Sequence, residues 1–354
     1  MGKLAIIKYF SFMMLVVTVM ATFFTIFGLF GGHSDPRTGT AMALLVYILP
    51  LLILFEVLLL LFWLLRRRWH WAAIPGVTLL CCIPYLLTIY QPPIFSGGDE
   101  MKSGIKVVSY NVAMFGREIN GAKAESILAF MRQQQVDILC LQEYQEASGD
   151  TVNSSRYLSY FSHMATGRQD MVIFSRHPII DSGIIDFGTA TNNSAMWADV
   201  DINGRVLRVF NCHLQTTGIN RTLHQAAKQQ EQGVVVENNA ILRAIYSNYT
   251  HGMNQRANQA DQVAAEVERS KWPVVLCGDF NDVPYSYVYR RMKGDLVDGF
   301  RECGSGFMYT MTGRWKRVRI DYIFHSSQLE GTSYYAEKEL SYSDHFPVFM
   351  RIAL

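Results

Sequence analysis

Six short apolar segments, each with a polar residue at or near one end, constrain the fold of this chain more than any other feature. They are residues 106–111, 136–143, 206–213, 274–281, 319–324 and 344–350. The polar residues that they carry are Asn111, Glu143, His213, Asp279, Asn281, Asp321, Asp344 and His345. Because carboxylates and histidines are rarely buried without a partner or a function, we predict that six strands converge and bring these residues to a single active site.

The first 98 residues contain three long apolar stretches, at 4–30, 41–65 and 72–90. A membrane-spanning helix needs about 20 mostly apolar residues, and such helices tolerate prolines when neighbouring helices satisfy the freed backbone groups. The pattern predicts a three-span transmembrane anchor in residues 1–98 and a catalytic domain in residues 99–354. A cleaved signal peptide is the alternative for the first stretch, but the stretch is too long and lacks a small-residue cleavage site.

Basic residues indicate the orientation of these spans. Lys3 and Lys8 flank the first stretch, and an arginine triplet at 66–68 follows the second. By the positive-inside rule, the N-terminus is predicted to be cytoplasmic, and three spans then place the catalytic domain on the outer side of the cytoplasmic (inner) membrane. Glu56, inside the second stretch, is expected to face the bundle interior, with either a functional or a packing role.

The net charge of the remaining chain bears on its partners. Six of the 32 Lys/Arg and two of the 30 Asp/Glu residues precede residue 99, which leaves 26 basic and 28 acidic residues in the catalytic part. A protein that binds nucleic acid without sequence preference normally has a basic surface. Nucleic acid is therefore a possible but less favoured partner.

From residue 105 onward, strand-like apolar runs alternate with helical patterns, which is typical of an α/β domain. Residues 122–135 are predicted to form a helix between the first two strands. The Gln- and Ala-rich region at 218–270 is predicted to be mostly helical. It is longer than a strand connection requires, so we interpret it as an insertion with a surface role.

Three of the polar residues suit a hard divalent cation. Glu143 offers a carboxylate at a strand end, Asn111 offers a neutral oxygen beside it, and Asp344 offers a second carboxylate. Mg²⁺ and Mn²⁺ prefer such oxygen ligands, and Mg²⁺ usually keeps several waters. The sequence therefore predicts a Mg²⁺ (or Mn²⁺) cofactor.

The other polar residues suit the hydrolysis of a phosphate ester. Asp279 and Asn281 are two positions apart, so on an extended strand they face the same way and can address one phosphate and its attacking water. Asp321 can hold His345 in the required tautomer, and His213 can supply a second donor to the phosphate. Charge stabilisation provides most of the rate in metal-assisted hydrolysis of this kind.

The motifs around these residues resemble those of the endonuclease/exonuclease/phosphatase superfamily, the DNase I-like group, from about residue 105 to residue 353. The resembling segments are SYNV at 109–112, LQE at 141–143, NCHL at 211–214, GDFN at 278–281, RIDY at 319–322 and SDHFP at 343–347. The resemblance implies a four-layer α/β/β/α sandwich and Mg²⁺-dependent phosphoester cleavage. It implies metal binding by Asn111, Glu143 and Asp344.

The resemblance also implies roles in catalysis. It assigns Asp279 to the water, Asn281 to the phosphate, and His213 and His345 to the phosphate and the proton transfers. The chain departs from some nucleases of the group at Ala113, where they carry an acid. Asp170 is a candidate carboxylate partner for His213, the first histidine of the motifs. A surface or turn role is the alternative for Asp170.

Two further features have competing interpretations. Arg256 and Gln259 lie on one helical face and could reach the phosphate, although an ordinary helix surface is favoured. The basic run at 314–319 is interpreted as a solvated loop, with contact to an anionic substrate or lipid head group as the alternative.

Three functions are compatible with the sequence. The first is a membrane-anchored hydrolase of a lipid-linked phosphate or pyrophosphate, which would resemble undecaprenyl-pyrophosphate phosphatases of the superfamily and have the bilayer as its partner. The second is an extracytoplasmic nuclease or nucleotide phosphodiesterase. The third is a non-catalytic membrane receptor with a hydrolase-like fold, which the intact polar set argues against.

Overall fold

The computed structural model describes residues 3–93, 104–117, 122–144, 157–168, 171–188, 191, 193–217, 227–228, 231–232, 238–313, 316–340 and 342–354. The chain forms two compact units. One unit comprises Met1–Thr88 with Val283–Arg290, and the other comprises Ile89–Asp282 with Arg291–Leu354. The predicted domain boundary at residue 98 lies outside the described residues and stays a prediction.

The first unit is helical. Its helices are α1 (Lys3–Phe30), α2 (Thr40–Leu65), α3 (Trp69–Cys81) and α4 (Ile83–Leu86), with a 3-10 turn at Gly31–His33. Among the described helices, α1 and α2 are long and apolar enough to cross a membrane. They meet this criterion by length and composition.

The structure supports two of the three predicted transmembrane helices, because residues 72–90 do not form one helix. α3 contains 13 residues, which corresponds to about 20 Å of helix and is shorter than a hydrocarbon core of about 30 Å. Pro84 has no backbone N–H to donate to the preceding turn, and the chain breaks at Cys82 into the four-residue α4. Tyr90 already belongs to a strand.

Polar contacts join the apolar helices to one another. The Trp63 indole N–H donates to the Thr18 hydroxyl at 2.9 Å, which joins α2 to α1. Glu56 is fully buried and accepts a hydrogen bond from the Thr25 hydroxyl at 3.4 Å. The prediction that Glu56 faces the interior of the helix bundle is therefore confirmed.

The remaining helices of the chain are α5 (Ala113–Arg117), α6 (Ala122–Gln133), α7 (Asn238–Glu268), α8 (Tyr287–Lys293) and α9 (Gly299–Cys303). The strands are β1 (Tyr90–Gln91), β2 (Ile105–Asn111), β3 (Ile138–Gln142), β4 (His163–Thr166), β5 (Val172–Ser175), β6 (Ile179–Ile185), β7 (Ser194–Ile202), β8 (Arg205–His213), β9 (Val274–Asp279), β10 (Val297–Asp298), β11 (Gly306–Phe307), β12 (Met311–Gly313), β13 (Lys316–Val318), β14 (Asp321–His325), β15 (Glu330–Ala336) and β16 (Val348–Ala353).

Two six-stranded sheets organise the second unit. Their strand orders are β15-β16-β2-β3-β5-β4 and β10-β14-β9-β8-β7-β6. One buried cluster joins the inner faces of the two sheets, and its members include Val107, Ile138, Val209, Val275 and Ile323. A second cluster packs α6 against the outer face of the first sheet. This is the predicted α/β sandwich, in which alternating strand residues face opposite layers.

The pairing of the strands brings the polar residues to one edge of the sandwich. β2 and β3 are parallel, and so are β8 and β9, so the carboxyl ends of each pair coincide. β16 runs antiparallel to β2, and β14 runs antiparallel to β9. The beginnings of β14 and β16 therefore lie at the same edge as the ends of their neighbours.

Candidate active site

The site is built where these strands end or begin. The residues at this edge are Asn111 at the end of β2, Glu143 after β3, His213 at the end of β8, Asp279 at the end of β9, Asp321 at the start of β14, and Asp344 and His345 before β16. In the second sheet, Asp279 is in register with both His213 and Asp321. The structure therefore brings the predicted residues to one edge, and their catalytic and metal-binding roles stay predictions.

Gly278 allows β9 to approach β8 immediately before Asp279. Its φ of +136° lies in a region that residues with a side chain rarely adopt. A Cβ at this position would also lie 1.9 Å from the carbonyl oxygen of Cys212. Only glycine meets both conditions. Glu143 and Asn281 also have positive φ angles, 51° and 52°, and such strained conformations are often found at functional sites.

One amide joins the two sheets at the centre of the site. The Asn111 side-chain amide donates to Glu143 Oε1 at 3.0 Å and to Asp279 Oδ2 at 3.1 Å. His213 Nε2 lies 3.7 Å from the same Glu143 oxygen and 3.9 Å from the same Asp279 oxygen. Asn111, Glu143, His213 and Asp279 therefore surround one small polar space.

His345 and Asp321 form a buried pair beside this space. His345 Nδ1 lies 3.0 Å and 3.2 Å from the two Asp321 carboxylate oxygens, and Nε2 lies 3.7 Å from Asp279 Oδ2. The backbone N–H of Asp321 donates to the Thr310 hydroxyl at 3.0 Å. An Nδ1–H donor to Asp321 turns Nε2 toward the site, as predicted from the sequence.

The packing of these groups shifts their pKa values. Burial and then the neighbouring Asp321 carboxylate raise the pKa of Asp279 to about 6, against the opposing effect of the two histidines. Burial lowers the pKa of His345, but Asp321 and Asp279 outweigh it and raise the pKa to about 10. At neutral pH the site therefore holds an imidazolium beside an ionised Asp279.

Asn281 contacts this centre, because its side-chain amide lies 3.3 Å from Asp279 Oδ2, whereas Asp344 lies outside it. The Asn281 backbone N–H donates to Asp279 Oδ1 at 2.8 Å, and its side-chain amide donates to the Leu214 carbonyl at 2.9 Å. Asp344 is exposed and lies beside Ser343, whose hydroxyl is 3.4 Å from Asp344 Oδ1. Asp344 is thus at the rim, and among the described contacts its side chain is not bonded to Asn111 or Glu143.

Two supporting contacts were not predicted from the sequence. The Ser343 hydroxyl donates to the Asn111 carbonyl at 2.8 Å and ties the Asp344 loop to β2. Beneath the site, the Gln142 amide donates to Asn211 Oδ1 at 2.6 Å, and both residues are fully buried. This bond links β3 to β8. The only sequence signal for this bond is the position of its two residues in the motifs. Gln142 precedes Glu143, and Asn211 lies two positions before His213.

The favoured interpretation of Arg256 and Gln259 as helix-surface residues is wrong. Arg256 is fully buried and Gln259 nearly so. The Arg256 guanidinium donates to the Gln215 carbonyl at 2.9 Å and to Asp282 Oδ2 at 3.2 Å, and Gln259 Oε1 accepts from the Gln215 N–H at 2.8 Å. Arg256 thus joins the loops that follow His213 and Asn281, and the predicted surface role of this part of 218–270 does not hold.

The solvated-loop interpretation is also wrong for Arg319. Its side chain is buried and forms a bidentate pair with Asp298, so it cannot face a lipid head group. Arg317 is exposed. Arg314 and Asp170 lie outside the described residues, as do 218–226 and 233–237 of the predicted insertion.

Replacing Arg256 tests its role beneath the site. In Arg256→Met, the buried Asp282 carboxylate loses a charged partner, and we expect the free energy of unfolding to fall by about 3–5 kcal/mol. Denaturant unfolding measures this change. Arg291→Met, which removes a half-exposed arginine paired with Asp261 and Glu268, is the control and should cost about 1 kcal/mol or less. Equal losses would show that the Arg256–Asp282 pair contributes no more to stability than a partly exposed ion pair.

The donor set at the centre fits a hard divalent cation. Glu143 offers a carboxylate oxygen, and its side chain is 33% exposed, which leaves access for the waters that Mg²⁺ retains. The Asn111 amide nitrogen faces Glu143 and Asp279 here, while its oxygen accepts from the Ala113 N–H, so a turn of the side-chain amide would present the oxygen to an ion. Asp279, Asp321 and His345 could also hold an ion, because one ligand atom from each lies within 4.8 Å of the others. In that cluster, however, both Asp321 oxygens already face His345 Nδ1.

Comparison with known proteins identifies the relatives of this domain. Residues 108–345 match the Endonuclease/Exonuclease/phosphatase family, and residues 10–89 match a domain of unknown function. The Ccr4 3'-5'-exoribonuclease subunit of the CCR4-Not complex from Phaeosphaeria nodorum is 24% identical over 322 residues, covering 72% of this chain and 52% of that protein. The chain therefore spans about half the length of this relative.

Solved structures show the same fold. A humanized D. rerio TDP2 superposes with a TM-score of 0.53 and 18% identity, covering 72% of this chain and all of that one. The human Nocturnin catalytic domain superposes with a TM-score of 0.50 and 18% identity, covering 74% of this chain and 99% of that one. The family match covers most of the chain and includes the strand-end residues from Asn111 to His345, so this protein belongs to the Endonuclease/Exonuclease/phosphatase family of phosphoester hydrolases.

Proposed function

We propose that this protein is a membrane-anchored, divalent-metal-dependent hydrolase of a lipid-linked phosphate or pyrophosphate. The observation that carries the proposal is the meeting of Asn111, Glu143, Asp279 and His345 at one sandwich edge, in a chain that also has two helices long and apolar enough to span a bilayer. Tethering an enzyme beside its lipid substrate raises the effective concentration of that substrate.

In the proposed reaction, the ionised Asp279 orients the attacking water and accepts its proton. The His345 imidazolium, held by Asp321, donates a hydrogen bond to the phosphate or a proton to the leaving oxygen. His213 and Asn281 supply further donors to the phosphate oxygens. Donors that are fixed before the reaction stabilise the charge that develops in the transition state.

We assign the metal position to Glu143 and Asn111, with Asp344 at the rim as a further oxygen ligand. A bound Mg²⁺ or Mn²⁺ supplies charge neutralisation and Lewis-acid polarisation of the phosphoryl oxygens. The Asn111 amide contacts both Glu143 and Asp279, so the same residue orients the carboxylate of the metal position and that of the water position.

The proposal includes an outer-face location, which requires the interrupted pair α3–α4 to cross the bilayer. Three contacts support this. Trp71 lies against Trp63 at the end of α2, Thr78 meets Thr22 within α1 at 3.2 Å, and Tyr85 of α4 packs on Tyr285. The α3–α4 pair also exposes apolar side chains along its length, namely Val77, Leu80, Ile83 and Leu86.

Reporter fusions test this topology. With a cytoplasmic N-terminus and three crossings, a periplasm-dependent phosphatase fused after Leu354 should be active, and a fluorescent protein that folds only in the cytoplasm should be dark. A fusion after Arg68 should give the opposite pattern. An inactive phosphatase and a bright fluorescent protein after Leu354 would mean that α3–α4 does not cross the bilayer.

A substrate panel tests the proposed activity. The full-length protein, reconstituted in bilayers with Mg²⁺, is offered an isoprenoid pyrophosphate, sphingomyelin, short DNA and a soluble phosphodiester. We expect the pyrophosphate lipid to be cleaved fastest when it shares the bilayer with the enzyme. Faster cleavage of DNA, at a rate that is the same in detergent and in bilayers, would favour the extracytoplasmic nuclease instead.

A further inference from the structure

Two exposed cations converge on one aromatic ring close to the candidate active site. The Lys338 ammonium lies 4.2 Å from the centre of the Tyr309 ring, and the Arg317 guanidinium carbon lies 5.5 Å from it. Among the described residues, neither cation forms an ion pair. Glu337 and Glu339 are on the same turn as Lys338, but Glu337 accepts the backbone N–H of Glu339.

Both cations are exposed and lie within 5.5 Å of one ring centre, and among the described contacts neither is paired with Glu337 or Glu339. Cation–π contacts at exposed sites are weak, so both cations remain available to an anion. Lys338 is further held by the Phe307 carbonyl at 3.5 Å.

Exposed aromatic side chains lie beside these cations. Phe307 of β11 is 68% exposed and Tyr90 of β1 is 38% exposed, and their rings are 4.7 Å apart across the two-stranded sheet. Large apolar side chains exposed together usually mark an interaction surface. Aromatic rings next to Lys and Arg are typical of the interface between lipid and water.

The position in the chain indicates which partner this surface meets. Three residues separate Tyr90 from Leu86, the last residue of α4. Tyr309 packs on Phe346, the residue after His345. Met311, two positions after Tyr309, forms a β-bridge with His345. Tyr90 therefore follows the apolar segment closely in the chain, and Tyr309 borders the rim of the candidate active site.

We infer that Tyr90, Phe307, Tyr309, Arg317 and Lys338 form an interfacial patch that binds the phosphate of an anionic phospholipid head group in the bilayer. The inference rests on the membrane anchoring proposed above. Arg317 and Lys338 would receive the phosphate, and Phe307 and Tyr90 would enter the head-group region. This contact would hold the mouth of the site against the bilayer surface, where a lipid-linked substrate is presented.

Hydrogen exchange of the full-length protein in nanodiscs tests the inference without measuring activity. One set of discs is phosphatidylcholine, and the other is equal parts phosphatidylcholine and phosphatidylglycerol. Two cations near an anionic surface together raise the equilibrium constant for contact with that surface by about 30-fold. Amides in 305–311 and 335–340 should therefore exchange more slowly in anionic discs, by up to about 30-fold, and added salt should reverse the difference.

Two charge-neutralised variants complete the experiment. Arg317→Gln with Lys338→Gln should abolish the difference between the two discs, whereas Arg205→Gln with Lys271→Gln, two exposed cations outside the patch, should retain it. Thermal unfolding checks that both variants are folded. Equal exchange of the wild-type protein in the two discs would overturn the inference. The same protection from inorganic phosphate in phosphatidylcholine discs would assign the patch to a soluble anion and overturn the lipid assignment.

Discussion

Glu143→Gln is expected to lower kcat by about 10³-fold or more. The substitution keeps the size of the side chain but removes the negative charge at the proposed metal position, and loss of metal-based charge stabilisation costs several kcal/mol of barrier. Glu143 is one-third exposed and has a positive φ that glutamine can also adopt, so the fold should be retained. Steady-state turnover of a soluble phosphodiester by the reconstituted protein measures the loss.

Direct binding of Mn²⁺ separates this prediction from a general loss of activity. Electron paramagnetic resonance of added Mn²⁺ should show much weaker binding to Glu143→Gln and unchanged binding to Glu268→Gln, a surface control. Asp321→Asn should still bind the ion. If Asp321→Asn loses Mn²⁺ and Glu143→Gln keeps it, the ion belongs to the Asp279–Asp321–His345 cluster, and our metal assignment is wrong.

His345→Ala and Asp279→Asn should each reduce kcat by about 10²–10⁴-fold, the usual effect of removing an acid–base group. The two side chains are 3.7 Å apart and serve one transition state, so the double variant should lose much less than the product of the single losses. His163→Gln, a change at a histidine of β4, should have little effect. Strictly multiplicative losses would indicate that one of the pair only supports the fold.

The pH dependence of kcat follows from the same two groups. Asp279 has a raised pKa of about 6, so it is protonated and unable to accept a proton below that pH. His345 has a raised pKa of about 10, so it loses its donor proton only above that pH. We expect a broad plateau between about pH 6 and pH 10 that reports the coupled site. His345→Ala should abolish the alkaline limb and, without the nearby imidazolium, should move the acidic limb to higher pH.

The strands that carry the site could be predicted from sequence because their signal is local. An apolar run that ends in Glu143, His213 or Asp279 indicates both a buried strand and a polar group at its end. The apolar stretches of α1 and α2 are equally local, since length and hydropathy decide whether a helix can span a bilayer. These predictions need no knowledge of which segments meet.

Helix breaks and buried charges were harder to predict. The interruption at Cys82 depends on how Pro84 is accommodated by neighbouring helices, and proline is tolerated in some spans. Arg256 and Arg319 appear in segments with other polar residues, and an arginine is usually exposed. Only their partners, Asp282 and Asp298, make burial possible, and these lie 26 and 21 positions away in the chain.

The sequence by itself therefore determined the α/β class, the family motifs and the identity of the polar residues at the strand ends. The tertiary structure decided which of them touch: Asn111 reaches both Glu143 and Asp279, while Asp344 stays at the rim. It also decided their protonation, because the raised pKa values of Asp279 and His345 arise from burial and from charges on other strands. Composition and spacing cannot report either property, since both depend on distances between segments that are far apart in the chain.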